Sequence, residues 1–373
     1  MHPIGLAWHT VVWIFGPYFE GFWPNFPFII SCTIGLSLYF WARSAPSKAM
    51  PPPESESSDE DGCLDAGTAM DRERLLKELA EGGFEEATTA SFTGLALRTW
   101  PTGMSTMRGV RKLVLTGNRL RVLPTSIGNL ATLEELYVSA NKLKELPAEI
   151  GGLKHLRVLH AGDNHLLRLP AALGGCTSLE ELTVSENYLE SLPTAIGLLA
   201  KLKVLRADMN HLMVLPASIG ELQALEELRV HSNRPLKFLP EAIGHLASLR
   251  ELHAGLCQLV GLPAELGMLS RLEVLHLGGN SIMWIPEEVS GCVALKRFHI
   301  ETNLLTVLPR GLAALELENL EVAGNPLKQP PLSVCHKGFA AVKSWLLAPE
   351  NSTMMATNRE SAPLVDRIAK KLS

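Results

Sequence analysis

Leu133-Glu-Glu-Leu136-Tyr-Val138-Ser-Ala-Asn141-Lys-Leu143-Lys-Glu-Leu146-Pro147-Ala-Glu-Ile150-Gly-Gly-Leu153 decides the fold of this chain. Leu136 and Val138 are two residues apart, so they share one face of a short strand. Asn141 comes next, where the chain must turn inward. Its amide both donates to and accepts from backbone groups that the turn leaves unpaired, and buried backbone groups require partners. Leu146-Pro147 begins the return segment, where a residue without an N–H fits because that backbone donates to no strand. Ile150 and Leu153 point back to the core. A single unit of this kind cannot bury its own apolar face.

On either side of this stretch the same unit returns on a fixed count. Its prolines are Pro124, Pro147, Pro170, Pro193, Pro216, Pro240, Pro263, Pro286 and Pro309, in steps of 23 with one step of 24 between Pro216 and Pro240. The asparagine keeps the same step at Asn118, Asn141, Asn164, Asn187, Asn210, Asn233, Asn280, Asn303 and, slightly early, Asn325, with Cys257 in the one missing place. Ten units therefore run from Asn118 to Asn325. A tandem array of this period with regular leucines predicts a leucine-rich-repeat solenoid. The fold class expected is α/β: a horseshoe with a parallel sheet on the concave face, about ten 23-residue repeats and helical caps at both ends. Leu97-Arg-Thr-Trp100-Pro101 reads as a worn first repeat. Asp71 to Leu79 reads as an amphipathic cap helix before it. After Asn325-Pro-Leu-Lys-Gln-Pro330-Pro331, the helical spacing of Val342, Trp345 and Leu346 predicts a capping helix over 332–348.

The 34 basic and 39 acidic residues leave a net charge of −5, and five of the acids lie within Glu54 to Asp61. No basic face suggests nucleic-acid binding. The six cysteines form no C-x-x-C pair, and neither cap holds a cysteine cluster, which favours a reducing compartment. Cys176 and Cys292 stand where other repeats have a core leucine and read as small buried hydrophobes. Phosphate-loop, zincin and nucleophile-elbow patterns are absent. No catalytic residue, cofactor or metal is nominated. The recurring Ile-Gly and Leu-Gly pairs keep step with the repeat and read as turn residues.

Residues 1–49 do not belong to the array. They hold Trp8, Trp13, Trp23 and Trp41, and Phe28 to Ala42 is apolar or small before Arg43 and Lys48. A spanning helix wants roughly 20 apolar residues. Three readings stay open: a membrane anchor through residues 1–48, a buried or interfacial element, or a start codon downstream at Met50 or Met70. If the stretch inserts, Arg43 and Lys48 place the downstream side, and with it the repeats, in the cytosol. Residues 50–70 read as an acidic disordered linker, 71–331 as the solenoid with its cap, and 349–373 as a flexible tail.

Side chains between the inward strand positions project onto the concave face. One column there contains Tyr137, His160, Arg206, Arg229, His253, His276 and His299, and the column two residues on adds Asp208, His231 and Glu301. Adjacent strands lie about 4.8 Å apart, so His253, His276 and His299 should form a contiguous ladder beside the arginines. These residues are nominated as the partner-binding face. Protonation of the histidines near neutrality would favour a partner presenting acids. The bland reading is a row of solvent positions where any polar residue serves.

The unit L-x-x-L-x-x-L-x-V-x-x-N-x-L-x-x-L-P-x-x-I-G-x-L resembles the Ras-group leucine-rich repeats, and most of all the plant intracellular Ras-group-related proteins. Two irregularities carry the nearer match: the lengthened unit from Val230 to Leu246, and the ending Asn325-Pro-Leu-x-x-Pro330-Pro331-x-x-Val334-x-x-x-Gly338-x-x-Ala341-Val342-Lys343. The resemblance implies a non-catalytic scaffold of intracellular signalling that binds proteins, small GTPases among them. The expected chain is a cytoplasmic monomer, tethered to the cytosolic face of a membrane if residues 1–48 insert. The rival expectation is a membrane-anchored, receptor-like protein whose repeats bind a ligand.

Overall fold

The computed structural model describes residues 87–351 together with Leu76, Lys77, Leu79 and Glu81. The anchor and linker expected over 1–70 and the tail expected after 351 lie outside the described residues. The architecture is that of a leucine-rich-repeat solenoid. Eleven three-residue strands pair in sequence order in one parallel sheet. They are β1 (Thr89–Ser91), β2 (Lys112–Val114), β3 (Glu135–Tyr137), β4 (Val158–His160), β5 (Glu181–Thr183), β6 (Val204–Arg206), β7 (Glu227–Arg229), β8 (Glu251–His253), β9 (Val274–His276), β10 (Arg297–His299) and β11 (Asn319–Glu321). Strands β2 to β11 are those of the ten units counted from Asn118, and β1 is the strand of the worn first repeat.

Each strand from β1 to β10 buries its middle residue, and Leu320 in β11 is half-buried. Leu136, Leu159, Leu182, Leu205, Leu228, Leu252, Leu275 and Phe298 are fully buried, and their flanking neighbours are mostly half-exposed. On the opposite side each Leu-Pro opens a short 3-10 turn. In the third turn, for example, Pro147 is extended at φ −68° and ψ 151°, and the N–H of Ile150 donates to the Pro147 carbonyl at 3.2 Å. The apolar residue in the third place of these turns, such as Ile150, Ile196 or Leu266, enters the core.

The next glycine is needed for packing rather than for the turn. A Cβ at Gly174 would stand 2.7 Å from the Ala195 carbonyl oxygen, and one at Gly220 would stand 2.5 Å from that of Ala242. Neither glycine has a positive φ. Successive turns stack too closely there for a side chain.

The asparagines do what their position requires. Asn187 Nδ2 donates to the carbonyls of Ala161, Val184 and Ser185 at 3.0, 3.1 and 3.1 Å, and its Oδ1 accepts the Leu166 N–H at 2.9 Å. The residue just before the asparagine turns the chain through the left-handed region, as at Ala140, Asp163, Glu186 and Met209.

Cys257 breaks this pattern for a readable reason. The extra residue of the 24-residue unit lets the Leu236 N–H bond to the Asn233 carbonyl at 3.0 Å. The following repeat therefore needs no side-chain acceptor. A thiol suffices there, and its Sγ donates to Val230 and Gly255 carbonyls at 3.4 Å each. Cys176 and Cys292 are also buried, with their thiols against the Ile150 and Leu266 carbonyls at 3.1 and 3.2 Å.

Both ends of the core are covered. Leu76, Lys77 and Leu79 are helical, with Leu79 buried against the first repeat. At the other end the chain forms two helices, α1 (Leu332–Cys335) and α2 (Phe339–Leu347), parted where Gly338 takes φ 92°. Val342 and Leu346 of α2 are buried.

One column on the leading edge of the sheet was not anticipated. The residues just ahead of strands β2 to β11 are Arg111, Glu134, Arg157, Glu180, Lys203, Glu226, Arg250, Glu273, Lys296 and Glu318. Their charges alternate without a break. From Glu134 on, each N–H in this column donates to the preceding member's carbonyl, as Arg157 does to Glu134 at 2.7 Å and Glu318 to Lys296 at 2.8 Å. Neighbouring side chains pair: Arg111 with Glu134 at 3.1 Å, Glu180 with Arg157 at 2.9 Å and Lys203 at 2.8 Å, Arg250 with Glu273 at 2.9 Å. Hydrogen bonds from Arg157 and Lys203 hold the Glu180 carboxyl down at about 2.

The two kinds of ladder residue should differ in cost. Asn187→Ala strands the buried Leu166 N–H and takes one donor from each of three carbonyls, and should cost about 1–3 kcal/mol. Cys257→Ala removes only weak thiol donation and should cost under about 1.5 kcal/mol. Urea unfolding of both variants checks the difference, and equal losses would contradict this account of the 24-residue unit.

Candidate functional site

The concave face is built from three columns, because alternate residues of a strand share a side. The nominated residues occupy two of them. Tyr137, His160, Arg206, Arg229, His253, His276 and His299 end their strands, and Asp208, His231 and Glu301 lie two residues further on. All are half-exposed except Asp208, which is buried. His253, His276 and His299 stand in direct register. Their ring centroids are 6.0 and 5.5 Å apart in edge-on contacts.

The third column was missed in the sequence, although the same alternation exposes it. It starts each strand and supplies Glu135, Glu181, Glu227 and Glu251. These acids occupy the bases. Arg206 makes a two-pronged bond to Glu227, with Nε at 2.9 Å and Nη2 at 3.2 Å, and reaches Glu181 at 3.3 Å. Arg229 also bonds to Glu227. His160 lies 3.0 Å from Glu181 and His253 3.1 Å from Glu251. His231 stands 3.4 Å from Asp208, and His276 stands 3.6 Å from Glu301. Tyr137 donates to Glu135 at 3.0 Å, packs edge-on against His160 at 4.9 Å and carries Lys112 over its ring at 5.2 Å.

From Arg206 to Glu301 the three columns hold Arg206, Arg229 and Arg297 against Asp208, Glu227, Glu251 and Glu301. With neutral histidines the strip is slightly acidic. The strip is a lattice in which bases pair with acids.

Two glycines shape its floor. Gly255 and Gly278 fill the column between His231 and Glu301, a place that glycine also takes at Gly162 and that most other repeats fill with a side chain. A Cβ at Gly278 would collide with the Glu301 carboxylate, and one at Gly255 would stand 3.3 Å from the His276 ring. The absence of side chains lets the His276–Glu301 pair lie flat on the sheet.

Burial lowers the proton affinity of His231, His253 and His299, and at His253 the bond to Glu251 opposes that effect only in part. Burial raises the Asp208 carboxyl. At Glu301 burial also pushes upward, but the His276 bond and nearby backbone outweigh it and the carboxyl sits below its ordinary value. Among the described residues no group of histidine, cysteine and acidic side chains could hold a metal ion. No helix among them is long and apolar enough to cross a membrane.

Comparison with known proteins agrees with the architecture. A family model for a leucine-rich repeat region matches residues 102–188. No curated protein matches. The plant peptide hormone receptor RGFR1, solved in complex with RGF2, is 29% identical with a TM-score of 0.60, over 65% of this chain and 41% of that one. The Arabidopsis receptor kinase HAESA, solved with the peptide hormone IDA and the co-receptor SERK1, is 25% identical with a TM-score of 0.50, over 66% of this chain and 47% of that one. Toll in the Drosophila Toll–Spatzle complex shares the fold at 21% identity and a TM-score of 0.58, over 65% of this chain and 38% of that one. The chain spans less than half the length of each.

The lowered histidines give a sign to the acid response. An unfolded chain binds their protons first, near pH 6.5, so these groups leave stability untouched well above that pH and subtract from it as pH falls through that value. Glu180, Glu227 and Glu301, held low in the fold, subtract further only below about pH 4.5. Urea midpoints measured from pH 7.5 downward should show two separate declines. Replacing His231, His253 and His299 together by Gln should flatten the first and leave the second.

Proposed function

We propose that this chain is a non-catalytic scaffold of intracellular signalling that binds a protein partner on its concave face. The observation that carries the reading is the charge lattice from Arg206 to Glu301, held half-exposed on a rigid sheet. Its side chains are already positioned by one another, so little order must be created when a partner arrives. The matching partner presents alternating acids and bases at strand spacing, and takes over pairs such as Arg229–Glu227 and His276–Glu301. The resemblance to Ras-group repeats supports an intracellular signalling partner, a small GTPase among the candidates. Enzymatic motifs are absent from the sequence, which supports a role in binding rather than chemistry.

A second reading is a receptor-like protein whose repeats face a ligand. It is favoured by the similarity to RGFR1 and HAESA, both solved with peptide hormones. Protease accessibility of the repeats in sealed vesicles separates the two readings. Protection inside the vesicle lumen would support the receptor and overturn the cytosolic scaffold.

Arg229→Glu combined with His276→Glu places new acids beside Glu227, Glu251 and Glu301. Partner binding should weaken by more than tenfold, about 1.4 kcal/mol. The fold should survive, because both side chains are half-exposed on the sheet face and outside the leucine core. Lys144→Glu with Arg168→Glu, on the trailing side of the sheet, is the comparison. Proximity labelling should lose the same proteins with the concave pair and keep them with the trailing pair. The opposite result would move the binding face.

A further inference from the structure

We propose that the leading edge of the sheet is a self-complementary surface that pairs this chain with a second copy of itself. The edge carries the ten alternating charges from Arg111 to Glu318, most of them exposed. Two properties of that column point to a copy of the same chain. It has an even number of members, and its two ends have opposite sign. Reversed, such a column is its own complement. A two-fold axis lying in the plane of the edge and bisecting the array maps the first position of one ladder onto the last of the other. Arg111 then faces Glu318, Glu180 faces Arg250 and Lys203 faces Glu226, and the remaining positions also meet opposite charges. The same axis lays one arc of repeats directly over the other, because it reverses the arc without displacing it.

Intrachain pairing alone accounts for alternation between neighbours, but it leaves capacity unused. Among the described residues, Lys296 and Glu318 form no ion pair, and Glu226 reaches Arg250 only at 4.0 Å. In the paired edge each charge has opposite charges beside it in its own chain and across from it in the other. Such a network is the arrangement in which surface ion pairs contribute most. In the column two residues ahead of the ladder, Lys201 would meet Ala224 next to the axis and Ser178 would meet Ser248. The ladder is about 43 Å long at about 4.8 Å per strand, and a strip a few residues wide covers less than the ~800 Å² per partner of a standard interface. The association is therefore weak, polar and sensitive to salt, in contrast to the monomer expected from the sequence.

The test uses the full chain in sedimentation equilibrium. Wild type should show a monomer–dimer equilibrium at about 50 mM salt that shifts to monomer at about 0.5 M, where screening is strong. Glu180→Arg places arginine against Arg250 of the other copy, and Arg250→Glu places glutamate against Glu180. Each variant alone should remain monomeric at low salt, with the circular dichroism of wild type. Mixed in equal amounts they should dimerise, because each mismatch in one chain is corrected by the other. An intrachain role cannot produce that rescue. A wild type that stays monomeric at low salt, variants that associate as wild type does, or a mixture that stays monomeric overturns the proposal.

Discussion

Everything in this molecule depends on satisfying the backbone groups left over where each strand ends. A strand of three residues makes few hydrogen bonds and then turns into the interior, where water cannot serve. One amide side chain per repeat closes that deficit. It reaches back to a carbonyl of the preceding repeat, as Asn187 does to Ala161, and accepts an N–H from that repeat at Leu166. The side chain thus ties each repeat to the one before it. Most repeats make this tie over the same sequence separation, in step with the 23-residue period, and Asn325 makes it one residue shorter. The exception shows the rule at work. An extra residue satisfies the Leu236 N–H locally, and the next repeat then dispenses with its asparagine.

The constraint fixes the interior and leaves the surfaces free. Inward positions change only in volume, as Val138, Ala161, Val184, Ala207, Val230 and Ala254 alternate large and small while all stay buried. That alternation runs in step with the charge on the leading edge. Repeats with glutamate at the edge carry valine inside, and repeats with arginine or lysine there carry alanine, from Glu134 to Arg250. The pattern therefore spans two repeats, not one. Neighbouring units are complementary to each other in both volume and charge, which resists a slip of one repeat against the next.

The fold was legible because it rests on period and residue type. Proline, asparagine and leucine recur at fixed offsets, and each has a physical reason for its place. The glycines after the core isoleucines were read as turn residues, yet the structure needs them for close approach between stacked turns. Distances between neighbouring repeats are not written in a single unit. The concave site was half legible. Counting two residues along the strand located His253, His276 and His299. It did not bring in Glu227 and Glu251, although the same count backwards does. A column was read by itself, and a column gives a composition. The chemistry lies between columns, where Arg206 grips Glu227 and His253 meets Glu251. The two glycines at 255 and 278 were equally hidden, because what they contribute is space for His276 and Glu301.

The Glu-Glu doublets show how one short string serves two surfaces. Glu134-Glu135, Glu180-Glu181 and Glu226-Glu227 look in the sequence like solvated acidic pairs. In the structure the first member stands on the leading edge and the second on the concave face, with the next leucine in the core. Glu180 pairs with Arg157 and Lys203, while Glu181 pairs with His160 and Arg206. The two networks run side by side over most of the array, separated by one peptide unit, and no side chain forms ion pairs in both. A stacked array can therefore carry an edge chemistry and a face chemistry on one sheet, with Arg157 of the edge still acting through space on Glu135 of the face.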